Sequence, residues 1–279
     1  MVLAPKCARF LCVLAVSLLF AAPVVAQTSS SSVVVDEDGV LSTDLQGPSA
    51  GAAESLIETV GAFTLDFGRA GIGSAKQRPD GIAAVLADGL FANGNPQNSI
   101  VSSTLWTDSA TNTTAGPIVY EFDFLITPPS LRIGDFAGLE ETDISRPDVS
   151  FDVEIRANGV PVFQASAHLI GGFVSHVLNE TGTSLSPTFV GGGSVFGYDF
   201  QAYADVLNLG SFNPGETVTV EYEMTVSVDT PGFEAGGRAQ IGDPFDLDGT
   251  PGFTGTFIGG GVVATESSSF GKVKSLFDR

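Results

Sequence analysis

The chain has 279 residues, with 12 Lys and Arg against 32 Asp and Glu, so its formal net charge is −20 at pH 7. A surface of that sign repels phosphate, which excludes nucleic acid as an expected partner and leaves cations, a basic protein or a salty medium. Both cysteines, Cys7 and Cys12, lie in the N-terminal segment. We therefore expect the rest of the chain to be stabilised by its core, without disulfides.

Residues 1–26 have the pattern of an export signal. Lys6 and Arg9 precede an apolar run, and small residues ending at Ala26 form a signal-peptidase site. The apolar run is shorter than the roughly 20 residues that a spanning helix needs. The pattern predicts cleavage near Ala26, a secreted, extracellular or periplasmic protein, and no transmembrane segment in the mature chain.

Residues 27–60 are rich in Ser, Gly and other small polar residues. Such a composition buries too little apolar surface to offset the entropy lost on ordering. We therefore predict a flexible leader over 27–60, although the three valines at 33–35 could add an edge strand.

Alternation of apolar and polar residues dominates the chain from 61 to about 265. It is clearest in GAFTLDFG, VYEFDFLI, GYDFQAYADV and TVEYEMTVSVD, which begin at residues 61, 119, 197 and 219. A period of two is typical of half-buried antiparallel strands. The pattern predicts an all-β single domain over 61–265, an antiparallel β-sandwich of jelly-roll or immunoglobulin-like type rather than a closed barrel, followed by a polar tail at 266–279.

The stretch FDVEIRANGVPVFQASAHL predicts a β-hairpin that turns at Asn158-Gly159. A two-residue turn would place Gln164 on the core face, which the hydrophobic pattern forbids. We therefore predict a three-residue loop that also includes the preceding alanine, with Val153 opposite Phe163. In this register the acidic residues of the first strand point to solvent.

Three pairs of carboxylates sit two residues apart on predicted strands. The pairs are Glu121 and Asp123, Asp152 and Glu154, and Glu221 and Glu223. The acid of a glycosidase needs burial or a like-charged neighbour to raise its pKa, whereas these side chains are expected to be screened by water. With no recognisable nucleophile setting either, the sequence predicts a protein without catalysis, and a secreted glycan-processing enzyme is the third of three hypotheses.

Two groups of residues suggest a metal. Asp243, Asp246 and Asp248 place hard oxygen ligands in one turn, as Ca²⁺ prefers. Their spacing lacks two ligands of an EF-hand loop, and a turn capped by its own aspartates is the alternative. His168 and His176 would lie directly opposite each other if a three-residue loop joins their strands, and on opposite faces if the turn has two residues.

Trp106 is the only tryptophan. An exposed aromatic ring on a sandwich face can stack on a sugar, and Tyr203, which the alternation places outward, could join it in a ligand-binding site. The alternative is a tryptophan in the core or at its rim.

From YEFDFLITPPS through LNLGSFNPGETVTVEYEM to AQIGDPFDLDGTPGF, about residues 118–254, the chain resembles a group of secreted bacterial β-sandwich proteins. Many of these carry a C-terminal Pro-Glu-Pro tail that an exosortase sorts (the PEP-CTERM proteins). This chain departs from the group at its C-terminal residues, which contain no Pro-Glu-Pro. The resemblance implies an exopolysaccharide-associated or surface role and carries no catalytic residues.

These patterns predict a secreted, acidic bacterial β-sandwich protein with an extracellular structural or matrix-associated role, partnered by polysaccharide, other matrix components or further copies of itself. The alternative is a carbohydrate-binding module stabilised by calcium. An unpaired, exposed edge strand would favour assembly. An outward Trp106 beside a groove would favour sugar binding, and two carboxylates in a cleft would favour an enzyme.

Overall fold

The computed structural model describes residues 27–37, 40–59, 71–89, 98–135, 147–171, 176–192, 195–230 and 235–259. All regular structure in these ranges is β-strand. The strands are β1 (Thr28–Glu37), β2 (Val40–Ser49), β3 (Ala53–Thr59), β4 (Gly71–Gln77), β5 (Ala83–Gly89), β6 (Asn98–Thr111), β7 (Ile118–Ile126), β8 (Ser130–Asp135), β9 (Asp148–Ala157), β10 (Val160–Gly171), β11 (His176–Gly182), β12 (Thr188–Gly192), β13 (Val195–Asp199), β14 (Tyr203–Phe212), β15 (Thr217–Thr230), β16 (Ala235–Ile241) and β17 (Phe253–Gly259).

The strands form two antiparallel sheets. Sheet A has seven strands in the order β11-β10-β9-β15-β6-β1-β2. Sheet B has ten, in the order β12-β13-β8-β16-β5-β17-β7-β14, with β4 joined to β5 and β3 joined to β4 as a branch. The prediction of an all-β antiparallel sandwich is confirmed.

The facing sides of the two sheets enclose one apolar core. In β15 and β7 every second side chain is buried, as the alternation predicts. Phe122 and Phe124 of β7 are both 0 % exposed and stack on each other, with ring centroids 6.4 Å apart. Burying a side chain of this size stabilises a fold by roughly 1.5–3 kcal/mol, so these two strands contribute much of the core.

The β9–β10 hairpin differs from its predicted register at the turn. Asn158 and Gly159 have φ values of 50° and 76°, and the residues that flank them pair directly. Two consecutive residues with positive φ form the two-residue turn that suits the twist of a hairpin. The predicted three-residue loop is therefore wrong.

A β-bulge after Pro161 restores the hydrophobic alternation in β10. It shifts the register by one residue, so that Phe163 pairs with Ile155 and Val153 pairs with Ala165. The predicted pairing of Val153 with Phe163 is wrong, but the predicted faces are right because Phe163 and Ala165 are buried. The bulge, and not a longer loop, is what keeps Phe163 and Ala165 on the core face.

The predicted flexible leader, 27–60, is wrong for the residues that form β1, β2 and β3. β1 also lies inside sheet A, between β2 and β6, so residues 33–35 are not an edge strand. Val33 and Val35 are 0 % and 1 % exposed and belong to the main core.

Close approach of the sheets explains how a serine-rich strand is buried. A Cβ atom on Gly73 of β4 would lie only 2.3 Å from Val33 Cγ1, so only glycine fits there. The neighbouring Ser31 hydroxyl forms a hydrogen bond of 2.9 Å with the Ser55 hydroxyl of β3. The buried Ser31 of β1 thus exchanges water for a partner in sheet B.

The stretch GYDFQAYADV, predicted as one strand, is two. β13 ends at Asp199 and β14 begins at Tyr203, and the two strands lie near opposite ends of sheet B. Phe200, between them, is buried at 3 % exposure. Its side chain is in the core as predicted, but the chain leaves the sheet there.

The predicted signal at 1–26, the stretch GAFTLDFG and the predicted tail at 266–279 lie outside the described residues. Within the described part of the chain, no helix has the length and apolar character to cross a membrane.

We expect Val33→Ala to lower the free energy of unfolding by about 2 kcal/mol, because it removes buried methyl groups and leaves a cavity beneath Gly73. The adjacent Val34→Ala, on the half-exposed outer face, should cost less than about 0.5 kcal/mol. Urea unfolding of both variants measures the difference. Equal, small losses would show that β1 is not part of the core.

Candidate functional site

Trp106 lies in the core, not on a face. It is 1 % exposed, its ring lies over Tyr222 with centroids 5.2 Å apart, and its Nε1 donates a hydrogen bond of 3.1 Å to the Pro79 carbonyl. A sugar cannot reach the ring in this structure. These contacts support the core alternative and give Trp106 a structural role.

Tyr203 is half-buried at the start of β14. Its ring packs against Phe163 and Phe124, with centroid distances of 5.3 and 6.0 Å. Its hydroxyl donates to Asp205 Oδ2 over 3.1 Å. Trp106 is in sheet A and Tyr203 in an edge strand of sheet B, so the structure does not bring the two predicted ligand-binding rings together.

A buried hydrogen-bond network beside Trp106 ties the sheets together. The hydroxyl of Tyr222, 0 % exposed, donates to the Gly81 carbonyl over 2.7 Å and accepts from Gln77 Nε2 over 2.7 Å. Burial raises the pKa of this phenol well above its usual value of 10.0. The network holds the turn between β4 and β5 against sheet A. No sequence motif predicts it.

The predicted carboxylate pairs lie on the outer face of their strands. In sheet A, Glu154 and Glu223 are directly opposite each other. Arg156 contacts both, with an ion pair to Glu154 and one of 3.3 Å to Glu223. Like charges opposite each other in a sheet repel, and this arginine offsets the repulsion.

Asp152 is less screened than the sequence pattern predicts. Burial raises the pKa of its carboxyl, and the neighbouring charges of Glu154 and Glu223 raise it further. A raised pKa suits a general acid. Its direct neighbours across the strands are Ser166 and Thr225, so the carboxyl lies on an open sheet face instead of in a cleft.

The two histidines do not face each other. His168 pairs with Asn179, while His176 pairs with Gly171. His168 binds the Asp148 carboxylate through Nε2. His176 stacks on Phe189 of β12, with centroids 5.5 Å apart. Neither predicted loop length applies, and the two rings do not form a shared metal site.

The aspartate turn at 243–250 is closed by its own side chains. Asp243 accepts a hydrogen bond of 2.9 Å from the backbone N–H of Phe245, and Asp246 accepts one of 3.2 Å from that of Gly249. Asp248 forms an ion pair of 2.5 Å with Arg78. Among the described residues, no group of three or more His, Cys, Asp or Glu side chains is placed to hold a metal ion.

A groove lies between this turn and the ends of β3 and β4. Its volume is ≈ 270 Å³. The ring of Phe245 is 53 % exposed there, and Lys76 Nζ lies 5.9 Å from the ring centroid. The polar side chains that line it include Glu54, Lys76, Arg78, Asp246 and Asp248. Sequence reasoning missed the groove because three segments far apart in the chain build it.

β2 is an exposed strand at one end of sheet A. It pairs only with β1, and eight of its ten residues are exposed on whichever face they lie. Val40, Leu41 and Leu45 are 67 %, 63 % and 67 % exposed. A strand with one free edge and exposed apolar side chains is a site for strand pairing.

A scan against protein-family models gives no match, and a search of the curated proteins gives none either. The resemblance to the exosortase-sorted group therefore stays a prediction.

We expect Asp152→Asn to raise the melting temperature at pH 8 and to have little effect near pH 4. A raised carboxyl pKa means that the folded state binds the proton more tightly than the unfolded chain. The stability from this group is therefore full below its ordinary pKa of 3.8 and is lost as pH rises through the folded-state value. Thermal melts from pH 4 to 8 measure this.

Glu121→Gln, on the outer face of sheet B, is the control for the loss of one negative charge. An equal gain in both variants would show that overall repulsion, and not the surroundings of Asp152, is responsible.

We expect the melting temperature to be the same in calcium and in EDTA, because Asp243, Asp246 and Asp248 all have partners within the protein. Thermal melts of one sample in both buffers test this. A clear rise with calcium would support the predicted calcium site, because binding to the folded state alone is stabilising.

Proposed function

We propose that the protein is a secreted, non-catalytic structural component of an extracellular matrix or cell surface, which assembles by pairing of β2 with β2 of a second copy. The exposed, apolar edge of β2 is the observation that carries this proposal. The predicted export signal supports the location, and polysaccharide is the matrix material expected around it.

Backbone geometry favours another strand as the occupant of this edge. From Val40 to Gln46, β2 pairs with β1 in unbroken register, and the irregularity lies beyond it towards Ser49. This leaves a straight row of backbone N–H and C=O groups on the free side. A second copy of β2, running antiparallel about a twofold axis, would satisfy the same groups in both copies and form a closed dimer.

Charge does little to oppose a second copy at this edge. The chain carries a net charge of −20, so most approaches of two copies are repulsive. β2 contributes only Asp44, whose carboxylate already accepts hydrogen bonds from the Leu56 backbone N–H at 3.0 Å and from Gln46 Nε2 at 2.9 Å. Two copies can meet along β2 with little added repulsion.

The other strand ends of the described sheets are less suited to pairing. β12 has only five residues, and β14 contains a bulge near Asn208 and carries Asp205. β11 and β3 carry Glu180 and Glu54. Short length, bulges and charges are the devices that keep edges from associating. β2 has ten residues and one charge, Asp44, which is already hydrogen-bonded, and its register irregularity lies beyond Gln46.

We expect the purified protein to self-associate in a concentration-dependent way, and more strongly at high salt. The Debye length falls from about 10 Å at 0.1 M to about 3 Å at 1 M, which screens repulsion between copies. Leu45→Lys should shift the protein to monomer, because a charge at the edge opposes pairing. Sedimentation velocity at several concentrations and salt levels measures both effects.

Val119→Lys is the matched control, because Val119 is 48 % exposed on β7, which has a neighbour on both sides. It should associate like the unmodified protein. A protein that stays monomeric at every salt level, or that loses association equally in both variants, would overturn assembly through β2.

A further inference from the structure

The groove beside Phe245 has the parts of a ligand site that the assembly described above does not use. Phe245 presents a flat apolar ring, 53 % exposed, at one wall. Glu54, Lys76 and Asp246 place hydrogen-bond acceptors and donors around it. A small number of polar groups around an apolar surface is the usual composition of a small-molecule site.

The aspartate turn holds the backbone of Phe245 in place before any ligand arrives. The Asp243 N–H donates to the Thr250 carbonyl over 2.8 Å, which closes the turn at its base. The Asp243 carboxylate accepts from the N–H of Phe245 itself, over 2.9 Å. Arg78 anchors the far side through its 2.5 Å ion pair with Asp248. A ring carried on a backbone that is already held loses less entropy on binding than one on a free loop.

Gln77, behind the groove, belongs to the buried hydrogen-bond network beside Trp106. Gln77 is 0 % exposed and is among the residues that line the groove. Its Nε2 donates to Tyr222 and to two backbone carbonyls, but its Oε1 accepts no hydrogen bond from the described residues. Gln77 thus ties this wall of the groove to the core through the Tyr222 hydroxyl.

Charge decides which class of ligand the groove accepts. Both of its cations are occupied, Lys76 by Glu54 at 2.9 Å and Arg78 by Asp80 at 2.7 Å and Asp248 at 2.5 Å. With Asp246 in addition, carboxylates outnumber cations, and the whole chain is strongly acidic. An anionic ligand would be repelled, whereas a neutral ligand with many hydroxyl groups finds both donors and acceptors.

We propose that this groove binds a sugar unit of a neutral polysaccharide, with the Phe245 ring against the apolar face of the sugar and Glu54, Lys76 and Asp246 bonded to its hydroxyls. The volume of ≈ 270 Å³ is just below the roughly 300–1,000 Å³ of sites for drug-sized ligands. It therefore suits a short segment of the polymer.

Co-sedimentation of the purified protein with cellulose, and titration with soluble neutral glucans, test this proposal, with alginate as the anionic polymer. We expect saturable binding to a neutral glucan and none to alginate. Phe245→Ala should weaken binding at least about tenfold, because aromatic anchors carry much of the binding energy at such sites. Phe245→Trp should retain binding.

Phe189→Ala is the matched control, because Phe189 is 50 % exposed on β12, outside the groove. Leu45→Lys, made for the assembly test, should keep single-site affinity, which separates failure of this proposal from failure of pairing through β2. Absence of binding to every neutral glucan, binding unaffected by Phe245→Ala, or binding to alginate instead would each overturn the sugar site.

Discussion

The hydroxyl of Tyr222 fixes how the two sheets lie on each other. It reaches across the core from β15 to the Gly81 carbonyl and to Gln77 of sheet B, and Trp106 adds a bond to the Pro79 carbonyl beside it. If one sheet slid over the other, these buried polar groups would lose their hydrogen-bond partners. Each unsatisfied group would cost about 1–3 kcal/mol of stability. The same hydrogen bonds hold the end of β4. The groove residues at that end are therefore positioned by the core.

The serine-rich part of the core explains why the sequence analysis predicted a flexible leader at 27–60 where the structure has strands. Composition alone makes residues 27–60 resemble a disordered segment. In the fold, the buried hydroxyl of Ser31 bonds to that of Ser55, and in β6, beside β1, Ser102 donates to the Leu86 carbonyl over 2.8 Å. Which polar side chains are satisfied depends on the opposite sheet, and a pattern read along one strand cannot show that.

The alternation of apolar and polar residues predicted which face of a strand is buried, because that depends on one strand and its solvent alone. β7, β9 and β15 have the predicted faces, because burial on one side sets them directly. The sequence could not show that Phe200 lies between two strands, nor that Asp152 is partly buried and lies near the charge of Glu223 in β15. The Phe245 groove could not be predicted from the sequence either, because its walls come together only through the order of strands in sheet B.

The free edge and the groove lie close together in the chain. Only residues 50–52 separate β2 from β3, and Ala52 itself lines the groove. If copies pair as proposed, each dimer presents two sugar sites to the same polymer. Two linked sites can exceed the affinity of one by 10²–10⁴-fold without any new contact. Avidity would then retain the protein in a gel. Dilution would separate the copies and release the protein as effectively as a competing sugar would.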